Sequence, residues 1–236
     1  MQRYFAKEKN GNNLILYDTD IYHIKKVMRM KDNDKIEVVF DKIVYLCNIN
    51  SIYDFNITII DEIKENNELP VSVTVAISLV AEQKFDLIIQ KLTELGVTKI
   101  IPLKTERSIV KLDKNKEDKK IVRWKIICKE ASEQSHRNMV PIVTNVMSIN
   151  DLEKCKEDIN LVCSLTDDSI SVNNYFDRKV NNSILVVIGP EGGITDKETK
   201  LLNSFGFKNI TLGKRVLRVE TAAIYIASVI SYIYEG

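Results

Sequence analysis

Residues 188–198 read IGPEGGITDKE, and they follow an unbroken apolar run, ILVV, at residues 184–187. An apolar run, a glycine-rich turn and a polar segment of helical character make a strand–turn–helix unit. Turns of this kind often cradle phosphate, because the free N–H groups at a helix N-terminus attract anions. This one lacks that chemistry. Gly193 is followed by Ile194 and Thr195, not by Lys and Ser or Thr, and Gly189, Gly192 and Gly193 miss the spacing of a dinucleotide fingerprint. Glu191 would repel a pyrophosphate. The glycines therefore serve close backbone approach or positive φ, Pro190 stiffens the first step, and a neutral or cationic ligand fits. Thr195 and Glu198 form a T-x-x-E capping box that opens the next helix.

Outward from this unit, strands and helices alternate. Strands are predicted at residues 71–80, 99–103, 142–146, 160–165, 184–188 and 209–212. Helices are predicted near 117–136, 149–157, 196–205 and 220–234, and another places Phe85, Ile88, Ile89, Leu92 and Leu95 on one face, with Gly96 as its C′ residue. This is an α/β fold with a mostly parallel sheet covered on both faces, whose ligands sit beyond the carboxyl ends of the strands. The turn after Leu165, the GPEGG turn and residues 212–222, LGKRVLRVETA, meet that description. The first seventy residues read differently, as β-rich, with strands at 13–17, 35–40, 44–52 and 56–63 and a short helix at 21–30. The polar stretch KENNELP, residues 64–70, separates the two patterns as a linker, giving domains at 1–70 and 71–236.

The 236 residues suffice for one large or two smaller domains, and 44% hydrophobic with 28% charged residues is ordinary for a soluble globular chain. No apolar run has the length of a membrane span, and MQRYFAKEKN lacks the apolar core of a secretory signal. Cys47, Cys128, Cys155 and Cys163 form no C-x-x-C pair, which fits reduced thiols in a cytoplasmic protein. The only histidines, His23 and His136, are too distant in sequence to suggest a metal site. The net charge of +1 conceals a basic stretch: residues 104–137 hold eleven Lys or Arg against six Asp or Glu. Such a stretch is a solvated helix face or a phosphate-tracking surface, and charge alone leaves both open.

The pair IGPEGG and LGKRVLRVETA closely resembles the SPOUT superfamily of methyltransferases, and specifically its RsmE family. Residues 90–111, QKLTELGVTKIIPLKTERSIVK, residues 130–143, EASEQSHRNMVPIV, and residues 23–34, HIKKVMRMKDND, look like three further blocks of that family in the same order. The resemblance implies a small PUA-like β-barrel domain followed by a trefoil-knotted α/β methyltransferase domain, assembled as a homodimer. The knot comes from the resemblance alone, since knots are nearly absent from folds. It also implies a cytoplasmic enzyme, with no metal and no membrane partner, that methylates N3 of uridine 1498 in 16S rRNA of the bacterial small ribosomal subunit, with S-adenosylmethionine as donor. By the same likeness Leu165, Ile188, Gly189, Pro190, Glu191, Gly193, Leu212, Gly213, Leu217 and Arg218 hold the donor, and Arg29, Arg107, Lys111 and Arg137 face the RNA. The absence of a P-loop lysine is then expected, because this donor carries no phosphate.

Uridine N3 carries a proton and is a poor nucleophile until that proton leaves, so the site needs a base or a cation that stabilises charge on O2 and O4. Arg218 is the candidate cation, and Glu220 either orients it or accepts the proton; a salt bridge closing the loop onto the last helix is the structural alternative for Glu220. His136 departs from the family pattern, standing where a small residue, usually glycine, is expected. The rival functions are a 2′-O-ribose methyltransferase of the same fold and a non-catalytic ribosome-assembly factor that binds RNA. A nucleotide hydrolase is more remote, for want of a lysine beside the glycine turn.

Overall fold

The computed structural model describes residues 1–108, 110, 113–164, 169–176 and 183–235. The chain forms two compact units: Met1–Glu68 with Lys129–Val140, and Leu69–Cys128 with Pro141–Gly236.

In the first unit β1 (Arg3–Phe5), β2 (Glu8–Asn10), β3 (Asn13–Ile15), β4 (Lys35–Phe40), β5 (Ile43–Ser51) and β6 (Asn56–Ile63) make one sheet in the order β1-β4-β5-β6-β3-β2. The strands at its two edges, β1 and β2, are separated by Ala6 and Lys7 alone. Ala6 N–H donates to Val39 O at 2.9 Å and Lys7 N–H to Ile15 O at 2.7 Å, so one chain segment bonds to both ends of the sheet and closes it into a small barrel. Ile24, Ile36, Val38, Cys47 and Ile49 fill its interior. β1 and β2 have only three residues each and no apolar alternation, so sequence periodicity does not reveal them. The helix predicted at 21–30 starts earlier, as α1 (Asp18–Tyr22), where Asp18 and Asp20 suit the positive end of the helix dipole. It then widens into a π turn, His23–Val27, and Arg29 leaves it at φ 53°.

The segment at 129–140 is held in this unit by buried charge. The Arg3 side chain donates to Glu37 Oε2 at 2.8 Å and to the His136 carbonyl at 2.7 Å, and it also pairs with Glu65. Arg137 is 2% exposed and is ion-paired with Glu68. Between these two arginine contacts the backbone of His136 has φ 55°, a left-handed conformation that glycine adopts without strain. The glycine expected at this position thus has a backbone reason.

In the second unit β7 (Val73–Ser78), α2 (Glu82–Glu94), β8 (Lys99–Lys104), α3 (Lys114–Gln134, its last turns in the first unit), β9 (Ile142–Val143), β10 (Met147–Ser148), β11 (Ile159–Cys163), β12 (Ile170–Ser171), β13 (Ile184–Ile188), α4 (Asp196–Ser204), β14 (Lys208–Thr211) and α5 (Val219–Glu235) follow in turn. The eight strands pair in parallel in the order β10-β8-β7-β13-β11-β14-β12, with β9 also on β8. Every residue of β7 and β13 is buried, as strands covered on both faces require. The helix predicted near 149–157 is a 3-10 helix, Ile149–Cys155, and Asp151 caps it through Ser148. Gly96, at φ 85°, ends α2 as predicted: its N–H donates to Thr93 O and that of Val97 to Leu92 O, which satisfies two terminal carbonyls. No helix among the described residues is long and apolar enough to cross a membrane.

At the C-terminal end of α3, Lys129 Nζ donates to Asp20 Oδ1 and Glu133 Oε1, both at 2.6 Å. Burial, aided by Asp20, overcomes the nearby Lys129 and pushes the Glu133 carboxyl up to about 7. A carboxyl raised on folding stabilises the folded state below its ordinary range and loses that contribution as pH rises through about 7. The melting temperature should therefore increase from pH 8 to pH 6, and Glu133→Gln should flatten this dependence. An unchanged pH profile in the variant would refute this role for Glu133.

Candidate active site

Three adjacent strands end at one level: Cys163 of β11 is paired with Ile188 of β13 on one side and with Ile210 of β14 on the other. Beyond these ends lies a cavity of about 300 Å³. Its walls come from the GPEGG turn, from residues 212–217 and from the first turns of α4 and α5.

The turn takes its shape from its glycines. A Cβ on Gly189 would lie 2.9 Å from Ile194 Cγ1 and 3.0 Å from Ile194 N, so any side chain there forces the turn to shift. Gly193 sits at φ 72° and its N–H donates to Pro190 O at 2.8 Å, closing the turn. Thr195 and Glu198 form the predicted capping box: Glu198 N–H donates to Thr195 Oγ1 and Thr195 N–H to Glu198 Oε2. The loop after β8 braces the turn from outside, with Glu106 N–H donating to Glu198 Oε1 at 2.8 Å and Arg107 Nη1 to Gly192 O at 2.6 Å. On the far side Gly213, at φ 117°, donates its N–H to Thr211 Oγ1 at 3.2 Å and tightens the bend out of β14.

Of the residues proposed from sequence for the donor, Ile188, Gly189, Pro190, Glu191, Gly193, Leu212 and Leu217 all line the cavity. Gly213 and Arg218 flank lining residues without lining it themselves, and Leu165 lies outside the described residues. Arg215 and Val216 line it within the 212–222 stretch singled out from sequence, whereas Cys163, Ser164, Asp196 and Thr199 also line it and were not anticipated. Asp196 and Thr199 could have been found from their place in the first turn of the helix that the capping box announces. Cys163 gives an apolar wall, since burial pushes its thiol up to about 12 and keeps it protonated. The walls are mostly aliphatic and glycine backbone, and the charged residues described among them are Glu191 and Asp196 against the single cation Arg215. These surroundings suit a neutral or cationic ligand and oppose a polyphosphate.

The candidate catalytic residues flank the cavity. Arg218 is exposed and makes no ion pair among the described residues. Glu220, in the first turn of α5, has Oε2 buried without a hydrogen-bond partner among the described residues and 3.9 Å from Lys84 Nζ. The ionic partner of Glu220 among the described residues is therefore Lys84 of α2, and no ion pair joins it to Arg218, which orienting Arg218, one of the two roles considered for Glu220, would have required. Lys84 also donates to Glu191 Oε1 at 2.6 Å; this bond holds the Glu191 carboxyl below and the Lys84 ammonium above their ordinary ranges. Sequence reasoning missed Lys84, although it stands just past the carboxyl end of β7, where ligands of parallel sheets gather.

The candidate RNA contacts are spread over both units. Arg29 is exposed in the first unit and Arg107 is exposed in the second. Lys111 lies outside the described residues. Arg137 does not fit the expected role: its guanidinium is buried and committed to Glu68, because the loop it belongs to is anchored by that pair.

Two family models match the chain: one described as an RNA methyltransferase domain over residues 67–231, and one as an RNA methyltransferase PUA domain over residues 10–60. Ribosomal RNA small subunit methyltransferase E of Bacillus subtilis is 36% identical, over 98% of this chain and 96% of its own length. The solved structure of the Neisseria gonorrhoeae protein of that name, bound to S-adenosylmethionine, is 28% identical and superposes with a TM-score of 0.89 over 99% of this chain and 98% of that one. A Legionella pneumophila protein solved in complex with S-adenosylmethionine is 29% identical, with a TM-score of 0.90 over 98% and 97% of the two chains.

The glycine contacts rank two substitutions. Gly189→Ala meets backbone and should cost about 1–3 kcal/mol of stability, whereas Gly192→Ala, which meets the movable Arg107 side chain at 3.3 Å, should cost less. Urea unfolding of both variants checks the order, and equal losses would show that the turn relaxes around either methyl group.

Proposed function

Because this chain belongs to the ribosomal RNA small subunit methyltransferase E family, we propose that it methylates N3 of uridine 1498 in 16S rRNA, with S-adenosylmethionine as donor. The observation that carries this reading is the aliphatic, glycine-walled cavity at the ends of β11, β13 and β14, where Leu217 and Val219 line the wall and Arg218 and Glu220 alternate with them. Ile188, Gly189, Leu212 and Leu217 hold the adenosine part of the donor. When bound, S-adenosylmethionine supplies a methyl group made electrophilic by its sulfonium.

The chain's own task is to prepare the attacking nitrogen and align it. Glu220 accepts the N3 proton, which leaves the nitrogen free to attack the methyl carbon, whose bonding pair to sulfur would stay with the departing neutral thioether. The Arg218 guanidinium stabilises the negative charge that spreads onto the uracil oxygens. Arg29, Arg107 and Lys111 contact RNA phosphates, and the target base is unpaired, because a paired N3 is out of reach. The first unit acts as the PUA-like RNA-binding domain. The second is the trefoil-knotted methyltransferase domain, acting in a cytoplasmic homodimer on the small subunit.

Nucleoside mass spectrometry after incubating the protein and donor with small subunits lacking the modification should reveal 3-methyluridine. A ribose-methylated nucleoside in its place would refute the assignment of the target atom. Arg218→Ala should lower turnover by roughly 10²–10³-fold and Glu220→Gln by roughly 10²–10⁴-fold, each with donor affinity nearly unchanged. Wild-type turnover in either variant removes that residue from the mechanism. Arg29→Ala should weaken RNA binding and reduce its salt slope by about 1, leaving donor binding intact; an unaltered slope would mean that Arg29 meets no phosphate.

A further inference from the structure

We infer that Lys84 is a positioning residue of the methyl-transfer site, an ionic clamp that joins the GPEGG turn to the first turn of α5 through Glu191 and Glu220. The clamp presupposes the methyl-transfer reading for its effect on turnover, and its effect on donor binding is independent of it.

Lys84 projects from the first turn of α2, which follows β7, and β7 is the direct neighbour of β13 in the sheet. Its ammonium therefore stands beside the turn that ends β13, and α5 packs against both α2 and β13. Nζ donates to Glu191 Oε1 at 2.6 Å and lies 3.9 Å from Glu220 Oε2, an atom buried without a hydrogen-bond partner among the described residues. Arg218 is near enough for its charge to act on Lys84. One ammonium and two carboxylates thus meet where the donor turn, α2 and α5 converge.

The two contacts do different things. Glu191 lines the cavity, and a carboxylate left free there would lie beside a cationic donor. An anion close to a sulfonium stabilises the ground state more than a transition state in which the positive charge is disappearing, and that slows transfer. Lys84 neutralises Glu191 and fixes its direction. Towards Glu220 the ammonium offers an attractive point charge just beyond hydrogen-bond length, which steadies the carboxylate without occupying it. Lysine suits this place because its compact charge serves two partners at unequal distances.

The test uses Lys84→Met, Lys84→Arg, Glu191→Gln and the double variant Lys84→Met/Glu191→Gln. Affinity for S-adenosylmethionine is measured by calorimetry without RNA, methylation by single-turnover assay on undermodified small subunits, and folding by melting temperature. Lys84→Met should tighten donor binding several-fold and slow transfer by about ten-fold or more, with a lowered but still cooperative melting transition and only partial recovery in Lys84→Arg. The double variant should be no worse than Lys84→Met, because the two residues act as one unit. Wild-type affinity and rate in Lys84→Met, or losses that multiply in the double variant, would overturn the clamp. If the wild-type chain forms no methylated uridine, the methyl-transfer reading fails on its own, and the calorimetric comparison still decides whether Lys84 and Glu191 are coupled.

Discussion

The site depends on the absence of one side chain. At Gly189 the chain leaving β13 passes so close to Ile194 that an added Cβ would stand 3.0 Å from its backbone nitrogen. This close return lets the turn double back, closed by the Gly193–Pro190 hydrogen bond, and lets α4 begin at once under its own capping box. A wider turn would move the first turn of α4 away from the ends of β11 and β14, and the cavity they share would open. Glu106 and Arg107 then brace the folded turn from the neighbouring loop. Gly192 admits the Arg107 side chain at 3.3 Å from where a Cβ would be.

The charges around this turn explain its preference among ligands. A glycine turn before a helix usually attracts an anion, but here the capping box takes the N–H groups of Thr195 and Glu198 at the start of α4, and acidic residues line the wall. Lys84, the ammonium bonded to the turn, is committed to Glu191, so it neutralises the wall without creating a phosphate site. The result is a pocket that is apolar inside and electrically balanced at one side, suited to a ligand with an aromatic body and a positive centre.

The first unit is held together by a different means. Its loop at 136–138 is secured by two guanidinium groups, each 2% exposed: Arg3 pairs with Glu37 and Glu65 and donates to the His136 carbonyl, and Arg137 pairs with Glu68. Removing one partner of such a pair leaves a buried charge uncompensated, which is far more damaging than losing a surface salt bridge. An arginine in a basic stretch is therefore not automatically a nucleic-acid contact. Arg29 and Arg137 look alike in composition, but one is exposed and the other is enclosed.

The sequence by itself determined the alternation of strands and helices, the capping box and the C′ glycine of α2, because these are local: periodicity, turn chemistry and glycine spacing act over a few residues. The resemblance of several ordered blocks added the class of reaction, the donor and many of the residues of the cavity wall. Tertiary structure alone decided which charged groups meet. Lys84, Glu191 and Glu220 are scattered along the chain and come together because parallel pairing sets β7 beside β13 and packs α5 on α2. The burial of Arg137 and the closure of the first sheet by β1 and β2 were hidden for the same reason: ion pairs and strand pairs between distant segments leave no periodic signature in either segment.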